Sequence, residues 1–249
     1  MGIGIKSKGG DMARLARKIL EGNIFHIMTK GVNHEKIFSA KAYKDKIISY
    51  YFEKSYPWEI FAYAIMDNHT HFLIRVEDIP SLSEIMKNIN QRYARYYNFI
   101  SKRNGHVFQN RYKSVPIKDE LNLFEVLRYI HNNPVFAGLE NDPSSSKFTS
   151  FNSFFTGRKN QTLSTDFINY VEDNFKNIEA FRDFHKESYY KLELDIKEDE
   201  KKFKDYIINL IIAENPSKDT KLEYAKTLSK SGFSKRYLAS KLGISRNVI

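Results

Sequence analysis

Trp58-Glu59-Ile60-Phe61-Ala62-Tyr63-Ala64-Ile65-Met66-Asp67-Asn68-His69-Thr70-His71-Phe72-Leu73-Ile74-Arg75-Val76 reads as a β-hairpin. Trp58 to Met66 and His69 to Val76 are rich in β-branched and aromatic residues, and Asp67-Asn68 between them is a turn pair. Side chains two apart on a strand point to one face, so His69 and His71 converge. Two neutral imidazoles on one side can bind a divalent cation and leave positions open for water and phosphate oxygens. Ordinary strand histidines also occur as His-x-His, and the pair alone leaves both readings open.

The flanking segments complete the architecture. Asn23 to Lys30 reads as a strand ended by Gly31-Val32-Asn33, and Ala42 to Lys54, with apolar Ile47, Ile48, Tyr50 and Tyr51, as a helix stopped by Pro57. Ser81-Leu82-Ser83-Glu84 is a capping-box pattern, with Ser81 accepting from a first-turn amide of a helix that runs to about Ile100. A strand is expected around His106 to Lys118, then a helix from about Leu121 that Pro134 limits. The order β-α-β-β-α-β-α predicts an α+β fold, a ferredoxin-like (RRM-like) antiparallel sheet with helices on one face plus one extra helix. The expected division is a basic leader (1–20), a sheet domain (21–136), a loop and helical connector (137–200) and a helical C-terminal region (201–249).

The 249 residues, 41% hydrophobic with 19 Phe, 16 Tyr and 1 Trp, can fill a packed core, which excludes disorder throughout. Absence of cysteine removes disulfides, thiolate zinc sites, Fe–S clusters and cysteine nucleophiles, and fits a cytoplasmic address. No stretch approaches 18 uninterrupted apolar residues, and Met1 to Asp11 has no signal-peptide core, so no membrane partner is expected. The formal net charge is +10. Residues 1–136 carry 21 basic and 13 acidic side chains, residues 137–249 carry 19 and 17, and six of seven histidines fall in the first part. Such an excess suits a polyanion, or serves as a solvated basic surface.

Tyr129 and Asn133 are four apart on the last predicted helix, which sets a phenol beside a carboxamide oxygen. An amide oxygen can be a third ligand, and a deprotonated phenol can attack a phosphodiester; a tyrosine on an amphipathic helix can equally be packing. Arg92, Arg95, Arg103, Arg111, Lys113 and Arg128 are interleaved with Tyr93, Tyr96, Tyr97 and Tyr112. Cations alternating with aromatic faces suit a splayed single strand, or else the tyrosines pack on the sheet while the arginines face water.

Four ordered blocks carry a resemblance: Phe25-His26-Ile27-Met28-Thr29-Lys30-Gly31, Tyr63 to Leu73, Gly105-His106-Val107-Phe108-Gln109-Asn110-Arg111-Tyr112-Lys113, and Tyr129-Ile130-His131-Asn132-Asn133-Pro134. Over about residues 12–156 the chain resembles the single-tyrosine HUH transposases of the insertion-sequence-200 type, most closely the REP-associated tyrosine transposase branch. The resemblance implies that His69 and His71 are the metal-binding pair, Tyr129 the nucleophile and Asn133 the third ligand. It implies Mg²⁺ or Mn²⁺ as cofactor, and cleavage and rejoining of hairpin-associated single-stranded DNA through a 5′-phosphotyrosine link. Thr70 is a departure, since the motif's middle residue is usually bulky and apolar; it points away from the metal face, so its effect should be on packing. His26, His106 and His131 are candidates for proton transfer or phosphate contact, or are structural.

Ser234 to Leu242, Gly243 and Ser245 have the spacing of a helix-turn-helix that would reach duplex DNA. A recognition helix would barely have begun at Ile249, so a truncated module is expected there. The rival reading is a non-catalytic DNA-binding regulator derived from such a transposase; a replication nickase of the HUH type would carry further domains. A homodimer and a bacterial-type, nucleoid-associated location are further expectations.

Overall fold

A computed structural model describes residues 23–155, 163–186, 208–209, 211–212, 217–230 and 233–249. The expected leader and residues 156–162 and 187–200 of the expected connector lie outside these residues. The chain divides into two compact units, one comprising residues up to 134 and 140–185, the other 135–139 and 186–249.

The first unit is built on four antiparallel strands, β1 (Asn23–Lys30), β2 (Trp58–Ile65), β3 (His69–Val76) and β4 (Lys113–Pro116), in the order β2-β3-β1-β4. With helices α1 (Lys41–Tyr51), α2 (Ile79–Ile100) and α3 (Glu120–Phe136), this is the ferredoxin-like βαββαβ order with one helix added. Because side chains alternate along a strand, β3 faces two ways. Phe72 stacks on Tyr51 of α1 with ring centroids 3.6 Å apart, while His71 meets Tyr129 of α3 edge-on at 5.3 Å. Helix α2 buries Leu82, Ile85, Met86, Ile89, Tyr93 and Tyr97, a helical stripe. The added helix α3 thus covers the face opposite α1.

Several boundaries differ from the sequence reading. Asp78, not Ser81, caps α2: its carboxylate accepts the Ser81 amide at 2.7 Å, and Pro80 occupies the first turn, where its missing N–H has no intrahelical partner to lose. Helix α3 runs through Pro134 to Phe136; the proline has no N–H to donate to the Ile130 carbonyl, and the helix continues only two residues beyond it. The strand expected over 106–118 is only Lys113–Pro116; upstream, Phe108 makes a single bridge to Gly31.

Past α3, the chain returns to β2. Thr149 bridges Ala64, and the Phe148 carbonyl accepts from Ile65, which covers that sheet edge. Helices α4 (Thr165–Phe175) and α5 (Ile178–Lys186) follow. Phe167 of α4 stacks on Phe61 of β2 at 4.2 Å, and Phe181 of α5 packs with Phe151 and Phe154.

In the second unit, α6 (Lys218–Lys230) and α7 (Lys235–Leu242) enclose a small core of Ile208, Ile211, Ala225, Leu228, Phe233, Leu238, Leu242 and Ile244. Ser234 caps α7, Gly243 ends it at φ 66° in the left-handed region, and Ser245 caps a 3₁₀ turn, Arg246–Val248. Among the described residues no helix is long and apolar enough to cross a membrane.

Gly31 ends β1, donating its amide to the Asn68 carbonyl at 2.8 Å. A Cβ there would overlap the Glu35 carbonyl oxygen, a backbone atom that cannot rotate away. Gly31→Ala is expected to cost about 1–3 kcal/mol, read as a lower thermal midpoint; an unchanged midpoint would contradict the close approach.

Candidate active site

Register assembles the site. Met28 of β1 lies opposite His71 and also opposite Lys113, and Lys30 lies opposite His69, so these side chains and His26 share the α3 face of the sheet. Ala62 and Ala64 of β2 pair with Leu73 and His71 on that face. Thr70, pointing the other way, bonds Thr29 across the strands, Oγ1 to Oγ1, at 2.8 Å. Its role is in packing, as its position in the motif implies.

His69, His71, Tyr129 and Asn133 come together here, all 6% exposed or less. His69 Nε2 lies 3.1 Å from Asn133 Oδ1, and its Nδ1 lies 2.7 Å from Asn68 Oδ1. The rings of His69 and His71 are perpendicular at 4.8 Å. His71 Nδ1 is 2.9 Å from His26 Nε2, while His71 Nε2 is buried with no hydrogen-bond partner. A buried polar atom left unmatched costs about 1–3 kcal/mol.

This donor set fits a divalent cation. When His69 Nδ1–H donates to Asn68, Nε2 and the Asn133 oxygen are two lone pairs at van der Waals separation, as adjacent ligands of one cation are. His71 can offer its Nε2 lone pair when its Nδ1 proton is given to His26, a supporting contact of the kind that orients metal-binding histidines. Among the described residues no three His, Asp or Glu side chains form a metal-holding cluster; the Asn133 oxygen lies beside the histidine pair.

The remaining candidates are dispersed. His26 stands behind His71, His131 is fully buried against Ser150 and His185, and His106 is exposed. Among the cations, Arg95 and Arg111 are exposed and Lys113 is half-buried. Arg92 is held by both Glu53 oxygens at 2.6 and 2.8 Å over the Tyr50 ring, and Arg103 pairs with Glu35. Arg128 is turned inward, donating to the Phe184 carbonyl at 3.3 Å. Tyr93 and Tyr97 are buried, Tyr93 donating to the Ile37 carbonyl and Tyr97 to Glu35, whereas Tyr96 and Tyr112 are half-buried. Sequence reasoning did not single out Asn68, Lys30 or His185. Asn68 and Lys30 carried a signal, since they adjoin the histidine motif in the turn and across the strand pair.

Burial keeps four imidazoles neutral. His26 is pushed down to about 3 by burial, with Lys113 adding, and His185 to about 3, again by burial. His71 is held well below the usual range by burial and then by His69 and His26, and His131 by burial and then by His185. In the unfolded chain each binds a proton near pH 6.5. Folded stability from this source is therefore complete above about pH 6.5 and is lost as pH falls below it, because the unfolded chain takes up protons that the buried imidazoles do not. The thermal midpoint should drop steadily from pH 6.5 to 4; a flat profile would show that these groups are not buried neutral.

Residues 21–133 match the model of the family described as "Transposase IS200 like". The fold can be aligned with a solved structure described as "Structure of the REP associates tyrosine transposase bound to a REP hairpin", with 18% identity, 55% of this chain and 80% of that chain covered, and a TM-score of 0.45. No curated protein matches the chain. The sheet, the histidine pair, Tyr129 and Asn133 all lie within the stretch that is similar to that family.

Proposed function

We propose that the protein is a metal-dependent transposase that cleaves and rejoins single-stranded DNA at hairpin-associated sites through a 5′-phosphotyrosine intermediate. The observation that carries this reading is the convergence of His69, His71, Asn133 and Tyr129, with His71 Nε2 buried and unmatched. Held by the two Nε2 atoms and the Asn133 oxygen, Mg²⁺ or Mn²⁺ would neutralise charge on the phosphoryl oxygens.

Tyr129 supplies the nucleophile. The phenol gives up its proton to water, its oxygen forms a bond to phosphorus as the bond to the 3′-oxygen breaks, and the departing 3′-oxygen takes up a proton from water. The phosphodiester bond energy stays in the tyrosine ester, so a free 3′-hydroxyl can reverse the step and join a new strand without a nucleotide cofactor. His26 orients His71, and Asn68 orients His69. Lys30 and Lys113, on the same face, favour an approaching phosphate. Arg95 and Arg111, both exposed, are further cations for the phosphates of the strand. The helical C-terminal unit, with α7 followed by the Gly243 turn, is proposed to contact duplex DNA in the manner of a helix-turn-helix.

Labelled single-stranded hairpin DNA incubated with the protein and Mn²⁺ should yield a covalent adduct whose nucleotide maps to the Tyr129 peptide. Tyr129→Phe keeps the ring and should abolish the adduct, while phenylalanine at 93, 96, 97 or 112 should leave it. His69→Ala or His71→Ala should abolish cleavage yet retain most single-strand affinity. Attachment at another tyrosine overturns the assignment, and intact DNA binding with no adduct favours the regulator.

A further inference from the structure

Helix α3 presents Tyr129 and Asn133 to the histidine face and a different set of side chains to α5. His131 lies two residues from each site residue, about 200° around the helix from Tyr129. Its Nδ1 is 3.0 Å from His185 Nε2, and its Nε2 is 2.8 Å from Ser150 Oγ. His185 Nδ1 is 2.7 Å from the Phe181 carbonyl oxygen, and Ser150 Oγ accepts the Tyr63 amide at 2.9 Å. All three side chains are 4% exposed or less.

These contacts fix the proton on each of the two imidazoles. A carbonyl oxygen can only accept, so His185 carries its proton on Nδ1 and offers a lone pair at Nε2. His131 must then donate from Nδ1, which leaves its own Nε2 as the acceptor for the Ser150 hydroxyl. The run of donors is unbroken from the β2 edge through α3 to α5. Asn132 Nδ2 adds a bond to the His185 carbonyl at 3.1 Å, and Arg128 one to that of Phe184. A buried network with each member satisfied rigidifies what it joins.

We propose that the His131–His185 pair is a positioning device for the transfer site, fixing the rotation of α3 about its own axis and so the placement of Tyr129 Oη and Asn133 Oδ1. The proposal rests on the reading of that site given above. A phenol oxygen stands roughly 8 Å from the helix axis, so turning α3 by about 10° moves it about 1.4 Å. A misplacement of about 1 Å is enough to cost roughly a hundredfold in rate. His185 lies on α5, beyond the family-matched residues, so a segment outside that stretch takes part in setting the nucleophile.

The test uses the full chain and two variants. His185→Phe keeps a ring but leaves the His131 Nδ1–H without an acceptor, whereas His185→Gln sets an amide oxygen near the place of Nε2. At a temperature below each variant's own melting transition, His185→Phe should lose tenfold to a hundredfold in single-turnover cleavage and bind Mn²⁺ several-fold more weakly by calorimetry. Its affinity for single-stranded DNA should stay within twofold, and His185→Gln should recover most of both losses. A merely structural pair would lower the melting point alone. In the wild-type protein, ring-nitrogen NMR at neutral pH should find both histidines protonated at Nδ1. A folded His185→Phe that cleaves and binds Mn²⁺ like wild type, a glutamine variant no better than phenylalanine, or a proton on His131 Nε2 overturns the proposal. Should His185→Phe not fold, the glutamine variant and the wild-type tautomers decide it. Wild-type protein that forms no Tyr129 adduct defeats the site reading itself, and is told apart from these outcomes by that assay.

Discussion

In the middle of the sheet, Met28 lies across from His71 and Lys30 across from His69. The pleat allows only two faces, so this register alone decides that His26, His69 and His71 look toward α3. A slip of one residue would bury the histidines under α1 and turn Thr70 and Phe72 toward Tyr129. Small Ala62 and Ala64 on the neighbouring strand leave room for the helix above them. The clustering of the histidines on one face and the two-sided core both follow from how β1 and β3 are paired.

The hairpin, the two packed helices and the His-x-His face were legible because each rests on a local pattern. Leu82, Met86, Ile89 and Tyr93 keep helical spacing, and His69 and His71 keep strand spacing. What could not be read depended on partners far along the chain. Nothing near Arg92 or Arg103 in helical register announces that Glu53 and Glu35 will engage them. Arg128 resembles a surface cation until α5 is laid beside it, and His185 has no motif around it at all. The Ser81 cap was misplaced for a subtler reason: Asp78 lies three residues upstream and is the stronger acceptor, with Pro80 marking the first turn. Pro134 forgoes its bond to the Ile130 carbonyl, and two residues from the end of α3 that loss limits the helix without stopping it at once.

Two imidazole pairs in this unit share one geometry, with ring centroids 5.1 Å apart at 25°, and differ in what lies beyond them. His131 and His185 hand their outer nitrogens to Ser150 and Phe181. His26 and His71 have outer nitrogens, Nδ1 and Nε2, with no hydrogen-bond partner. A satisfied buried pair holds structure together, and an unsatisfied one stores a binding capacity. The same side-chain chemistry therefore closes a network on one side of α3 and leaves two nitrogens unmatched on the other.

Behind the histidines, Thr70 and Thr29 bond each other within reach of the buried Tyr51 hydroxyl. Replacing Thr70 alone with an apolar residue would leave the Thr29 and Tyr51 hydroxyls with one partner fewer. The three positions are coupled, so the cost of a change at one depends on what stands at the other two. An evolutionary route from this motif to one with an apolar middle residue therefore runs through residues 29 and 51 as well as 70.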